Sequence, residues 1–386
     1  MKLRKIAAVL IAIVVLCAAP IGGLVGVDCI SFFAPKAEAA GKTYKVGDIV
    51  EFGSYPQSRV TNSSLVSALN KVSKKWVSYG YYSGTGDWGT MVQGDWMKYA
   101  DFTYNGTKYR AVTFSQYRPY RTYESSSSDN SRQYDNGYTP NNIYYFKYEP
   151  LKWRVLDPST GLVLCESIID SQAYSNTVYE YDREPYYERD AYWNDAEHTH
   201  YANDYATSSI RTWLNDDFYN TAFSSSQRAS ILTSELDNRA YSTSYSEYDS
   251  ETTYDKVFLL SDSEMQNTAY GFPADSDWSY ARQTKGSDYA KCQGLEYLSG
   301  ECSNYRLRSA GDNSDCACHV YSGGALNYSG WMVYFTDYGI RPAIKISNLS
   351  STIPKSGGSG SSSGNSTKTT TAKPAATMSS PTRRRA

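Results

Sequence analysis

The run Leu151-Lys-Trp-Arg-Val-Leu156 alternates apolar and charged side chains, and a turn sequence, Asp157-Pro-Ser-Thr-Gly161, leads from it into the apolar Leu162-Val-Leu-Cys165. Alternation of period two puts every second side chain on one face of a strand, so these runs predict a hairpin with one buried face. That commits the chain to an antiparallel sheet. Further strands are predicted over Lys45–Phe52, Lys108–Phe114, Lys256–Leu260, Trp331–Phe335 and Ile340–Ile346. Pro342 belongs at a strand start or an edge, because proline donates nothing to a ladder. Apolar residues spaced by three and four predict helices over Ser64–Val72 and Ile210–Phe218, the second capped by Ser208 or Ser209. Ser224-x-x-Gln227 is a capping box opening a short helix through Ile231 and Leu232. The fold class is α+β and loop-rich, with a mixed or antiparallel sheet, two or three short helices and long insertions.

Both ends differ from this body. Lys2, Arg4 and Lys5 precede an apolar run from Ile6 through Val15, and the segment closes on Ala37-Glu38-Ala39. That order predicts an export signal over residues 1–39, cleaved near Ala39 to leave Ala40 first. An uncleaved anchor is the alternative, and the only route by which a membrane would enter; Asp28, Pro20, Gly22 and Gly23 interrupt such a span. Residues 351–386 are rich in Ser, Thr and Gly and cannot form an apolar face, which predicts a disordered tail. Between them, residues 40–350 are expected to form a single domain, with an N-terminal extension or insertion over about residues 58–147. In the leader, basic residues outnumber acids by two, and the tail carries six basic residues and no acid. The whole chain stands at −2, so the body carries −10. An acidic body without a basic stripe excludes nucleic acid as a partner.

Tyrosine is over-represented, at 38 residues against 11 Phe and 8 Trp, and much of it falls in the polar stretches 117–148, 174–205 and 241–254. A phenol buries a large ring while keeping its hydroxyl wet, which suits a solvent-facing contact surface. Equally, tyrosine simply fills the long loops of an exported protein. Past the leader five cysteines remain. Cys165 lies in an apolar run and is expected to be a free core thiol, whereas Cys292, Cys302, Cys316 and Cys318 fall within 27 residues and are disulfide candidates. Cys292 with Cys302 is the first pairing, and a bridge from Cys316 or Cys318 to that loop is equally open. The cluster lacks the C-x2-C knuckle of structural zinc sites, and His198 and His200 lie on a hydrated loop, so no metal site is expected. No nucleophile elbow, phosphate-cradling glycine loop or distinguished carboxylate pair marks a catalytic site; Ser322-Gly323-Gly324 is a turn.

Several ordered segments carry a resemblance: Phe52-Gly-Ser-Tyr-Pro-Gln57, Met97-Lys-Tyr-Ala-Asp101, Lys108-Tyr-Arg110, Tyr148 to Leu156, Ser209-Ile-Arg-Thr-Trp-Leu-Asn215, Asp255 to Ser261, Tyr305-Arg-Leu-Arg-Ser309 and Gly339-Ile-Arg-Pro-Ala343. Together they resemble the domain-of-unknown-function family numbered 6273, found in exported proteins of Gram-positive bacteria. More loosely, Arg308-Ser309 followed by Gly339 to Ala343 is similar to the C-type-lectin-like superfamily. That likeness implies a domain whose first and last strands pair, with two helices and a long loop region presenting a ligand surface. Calcium would enter only through this likeness. Trp193-Asn194-Asp195 matches a lectin motif but precedes the Ile210 helix, and Glu149-Pro150 and Glu184-Pro185 lack the following Asn, so no cofactor is expected. Weak ligand-contact candidates are Trp193, Asp195, Trp278 and Asp312.

The expected function is an exported or cell-surface module that binds a glycan or an extracellular protein through Tyr-rich loops. The alternatives are a cysteine-dependent oxidase of the sulfatase-modifying type, using Cys316 and Cys318 with His319 as thiolate partner, a hydrolase, or a structural envelope domain.

Overall fold

The computed structural model describes residues 43–79, 83–85, 91–93, 97–119, 121, 132–175, 201–296 and 302–349. The predicted leader and tail lie outside them. The described residues form an α+β, strand-rich structure of mixed sheets with a few short helices. A nine-stranded sheet is organised on the long strand Ile143–Asp157, whose alternating burial from Leu151 onward is the pattern read from the sequence. The first strand, Ile49–Arg59, lies antiparallel along one edge of it. Its other edge is shared by Thr107–Phe114, which pairs with residues 143–147, and Leu162–Cys165, which pairs with residues 153–157. Beyond Thr107–Phe114 come Met97–Tyr104 and Val77–Ser78. The segment expected as an extension, residues 58–147, thus contributes strands to this same sheet.

The hairpin turn is built on Asp157, whose side chain accepts from the backbone of Ser159 and the hydroxyls of Ser159 and Thr160. Gly161 closes it at φ +75°, where an added Cβ would meet the Ile346 carbonyl oxygen at 2.0 Å. Gly161→Ala is therefore expected to lower stability by about 1–3 kcal/mol in denaturant melts, through left-handed strain and that clash.

A five-stranded sheet runs in the order Leu326–Met332, Cys316–Val320, Tyr305–Ala310, Gly339–Ile340, Asp170–Ser171. The predicted strand Ile340–Ile346 is split between the two sheets. Gly339–Ile340 pairs with Tyr305 and Asp170–Ser171, while Ala343–Ile346 pairs with Leu162–Leu164. Arg341 and Pro342 make the crossing, and the Pro342 carbonyl accepts from the Cys165 N–H. The last strand therefore pairs with Leu162–Leu164, Ile231–Leu232 and Val257–Phe258 and not with the first strand, which corrects the pairing implied by the lectin likeness. The run Trp331–Phe335 also differs from its predicted strand. Pairing ends at Met332 because the Val333 carbonyl turns to accept from the Tyr174 and Ser175 N–H groups.

Helices follow their caps. Asn62 caps Ser63–Asn70, Ser208 caps Ser209–Trp213, and the Ser224–Gln227 capping box opens Ser225–Ser230. Ile231 and Leu232 leave the last of these to pair with the final strand. The described tyrosines of the Tyr-rich stretches divide between inward and outward-facing. Tyr138, Tyr144, Tyr145 and Tyr148 are buried in the first Tyr-rich stretch, as are Tyr174 and Tyr205 at the ends of the second; Tyr134 and Tyr254 are exposed. Strand pairing turns Tyr144, Tyr145 and Tyr148 inward, where their hydroxyls bond to Thr139, Asn70 and Asp101. Among the described residues no helix is long and apolar enough to cross a membrane.

Candidate functional site

At one end of the large sheet the side chains of Tyr55, Tyr79, Tyr99 and Trp213 line a cleft of about 420 Å³ with the Arg110 guanidinium among them. Local structure explains the convergence. Tyr55 follows an irregularity in the first strand between Glu51 and Ser54, and Tyr99 faces Val77 in the antiparallel ladder. Trp213 ends the Ser209–Trp213 helix, which continues as a wider π turn over Leu214–Phe218 and then as Tyr219–Ala222. Trp213, Asp217 and Thr221 all line the cleft from this continuous helical segment. The floor is built from buried residues, Tyr55, Tyr79, Arg110 and Trp213, whereas Val77, Ser78 and Asp217 at the mouth are exposed.

Behind the rings runs a polar network, buried at Arg110, Tyr148, Tyr289 and Asp170 and open to solvent at Asp101. Asp101 and Arg110 are direct cross-strand partners, and their side chains form a bidentate pair with both contacts at 2.8 Å. Arg110 also donates to the hydroxyls of Tyr289 and Tyr148, each at 3.0 Å, and Tyr148 donates to Asp101 at 2.7 Å. A guanidinium carries five N–H donors, and these contacts use four of them. The fifth, on Nη1, has no partner among the described residues. The Arg110 Cζ lies 4.4 Å from the centre of the Tyr99 ring and 5.6 Å from that of Tyr55. Burial works against the Asp101 charge, but the Arg110 hydrogen bonds and charge and the Tyr148 hydroxyl outweigh it and hold the carboxyl below its usual range.

Asp170 anchors the other side. The Tyr55 and Tyr79 hydroxyls donate to its Oδ2 at 3.0 and 3.2 Å, and the Ser171 N–H donates to Oδ1 at 2.7 Å. Full burial pushes its carboxyl up to about 6, against the opposing pull of the Ser171 N–H, Arg118, Tyr55 and Arg110. An acid whose folded pKa is raised favours folding below its unfolded pKa, and that contribution fades as pH rises through the folded value. Stability should therefore fall on the order of 3 kcal/mol between about pH 4 and pH 7 from this group. Asp170→Asn is expected to flatten that part of the stability–pH curve. Urea melts across the range check it, and an unchanged slope would show that Asp170 does not titrate there.

Of the sequence-predicted ligand-contact residues, Trp278 and Asp312 are described. Trp193 and Asp195, like His198 and His200, lie outside the described residues. Trp278 is 55 % exposed, its indole packed over Gly323 and edge-on to exposed Tyr280 at 4.1 Å. Asp312 is half-buried in another turn, its N–H donating to the Ser329 carbonyl. The disulfide candidates Cys292, Cys302, Cys316 and Cys318 stand unbridged, as does Cys165. Cys316 and Cys318 alternate along one strand with parallel Cβ directions, a geometry that does not close a bridge. Cys292 is buried in the short helix Asp288–Cys292, and Cys302 lies on a backbone bridge to Lys285 with its sulfur toward Gln283. Burial pushes the Cys165 thiol up to about 12 and raises Cys292, Cys316 and Cys318 as well. His319 offers no activation, since burial and then the Arg306 charge bring its imidazole down to about 3. Of these five, only Cys302 should react quickly with a thiol reagent in the folded protein. The other four should become reactive on unfolding without reductant, and any pair that stays blocked would contradict the free-thiol assignment.

The cleft residues escaped notice as a set, yet most lie in segments that carry the family resemblance. Tyr55 belongs to Phe52–Gln57, Tyr99 and Asp101 to Met97–Asp101, Arg110 to Lys108–Arg110 and Trp213 to Ser209–Asn215. No curated protein and no solved structure matches the chain. A family model does match, over residues 158–348, so its span contains Asp170, Trp213 and Asp217 and begins after the segments that supply Tyr55, Tyr79, Tyr99 and Arg110. Over residues 158–348 the chain is similar to the family described as Domain of unknown function (DUF6273).

Proposed function

We propose that this protein is an exported or cell-surface binding module, and that it takes a glycan, or the glycan of an extracellular protein, in the cleft between Tyr55, Tyr79, Tyr99 and Trp213. One observation carries the proposal: four aromatic rings converge on one cleft with a buried guanidinium among them and a carboxylate at the mouth. Small-ligand sites are typically concave, largely apolar and furnished with a few fixed polar groups, within 300–1,000 Å³. The network through Asp101, Arg110, Tyr148, Tyr289 and Asp170 holds the rings in place before a ligand arrives, which lowers the ordering cost of binding. Two other hollows, of about 590 and 480 Å³, are lined mainly by charged and small polar groups and offer no such stacking surface.

Export is supported by the order of charge, apolar run and Ala37-Glu38-Ala39 at the N-terminus. A C-type-lectin-like fold belongs to the same proposal; Tyr305–Ala310 and Gly339–Ile340, which carry that likeness, are neighbours in the five-stranded sheet. The thiol-oxidase alternative has less support, because its cysteines lack a stabilised thiolate. A glycan array and a mucin pull-down test the reading, run with the full chain and with Tyr99→Ala. The expected result is a defined set of glycans whose signal disappears in the variant. Blank arrays and no mucin capture would sink the proposal.

A further inference from the structure

The geometry points to an uncharged sugar ring as the ligand of this cleft, stacked on the aromatic floor and held between the Arg110 Nη1 donor and the Asp217 carboxylate. This rests on the binding reading above and narrows it. Three ligand classes stack on aromatic rings, and the charges around this cleft separate them.

A quaternary ammonium needs open π faces and an electronegative cage. Here the faces are already turned to an internal cation. The Arg110 Cζ lies 4.4 Å from the Tyr99 ring centre, 5.6 Å from Tyr55 and 5.5 Å from Tyr289. A second cation would meet that charge at close range. A carboxylate or phosphate ligand fares no better. Asp101 already holds Arg110 in bidentate fashion, so the guanidinium is neutralised from behind. An anion would then face Asp217 at the mouth, with Asp170 beneath the Tyr55 and Tyr79 hydroxyls.

A neutral pyranose fits both demands. Its apolar C–H face packs on the rings, and its hydroxyls both donate and accept. One hydroxyl oxygen can take the unused Arg110 N–H, while another hydroxyl donates to Asp217, whose two oxygens present about four lone-pair sites. A hydrogen bond from a buried, charged donor is worth more than one from a neutral group, which makes Arg110 an anchor for orientation.

Calorimetric titration of the full chain tests this with four probes at matched concentrations: methyl glucoside, methyl N-acetylglucosaminide, glucuronate and choline. Binding of a neutral glycoside, weakened about tenfold or more by Asp217→Asn and by Tyr99→Ala, is the expected result. Asp217 is exposed, so its variant keeps the test independent of folding. Preference for glucuronate or choline, lost in the same variants, would overturn the neutral-sugar inference while leaving the cleft as a binding site. A neutral glycoside whose affinity survives both variants would place the site elsewhere and overturn both readings. Silence from all four probes overturns this inference, and the glycan array then decides the broader one.

Discussion

Arg282→Ala is expected to destabilise the protein by about 5 kcal/mol, enough to unfold a domain of ordinary stability at moderate temperature. The Arg282 side chain is fully buried and donates to five backbone carbonyls: Gly324 through Nε, Met265, Pro273 and Asp275 through Nη1, and Asp277 through Nη2. These carbonyls belong to loops with few internal ladders. A single guanidinium serves them as a sheet would serve a strand, and its removal leaves the carbonyls without donors as well as a cavity. Arg282→Lys should recover little, because an ammonium cannot reach the same spread of acceptors. Chemical denaturation of both variants measures this, and a loss near 1 kcal/mol for the alanine variant would show that water replaces the guanidinium.

The second large effect is at Arg110, where stability and binding should fail together. Arg110→Met removes the cation and leaves Asp101 against the Tyr148 hydroxyl without its charge partner. Breaking a buried pair costs about 3–5 kcal/mol, and the Asp101 side chain is still 27 % exposed, so about 3 kcal/mol is expected. The double variant Arg110→Met with Asp101→Leu should regain part of that loss, because no uncompensated charge remains. It should not regain ligand binding, since the Nη1 donor is gone. That split between folding and affinity is measurable by comparing denaturant midpoints with titration on the same samples.

Much of the fold was legible because its signals are local. The alternation of Leu151–Leu156 with the Asp157–Gly161 turn specifies a hairpin without reference to the rest of the chain. The Ser224–Gln227 box likewise sets a helix start through two neighbouring hydrogen bonds. The cleft was not legible, because its parts come from segments far apart: Tyr55 and Trp213 meet only through sheet and helix packing. A tyrosine in a polar stretch gives no sign of which way it points, and Tyr145 and Tyr148 went inward because cross-strand pairing put them on covered faces. The buried arginines 282, 306 and 341 also run against the ordinary rule for interiors; their partners are mainly backbone carbonyls that no spacing announces. The cysteines misled for a related reason. Spacing places four of them near one another in the chain, but pairing depends on the direction of each Cβ, which strand register and helix phase decide.

A crystal structure of the full chain with a glycan that it captures from the array is the most direct measurement. Ligand density stacked on Tyr99 and Trp213, within hydrogen-bonding distance of Arg110 Nη1, is the expected result. Density on the exposed Trp278–Tyr280 face with the cleft vacant would contradict it.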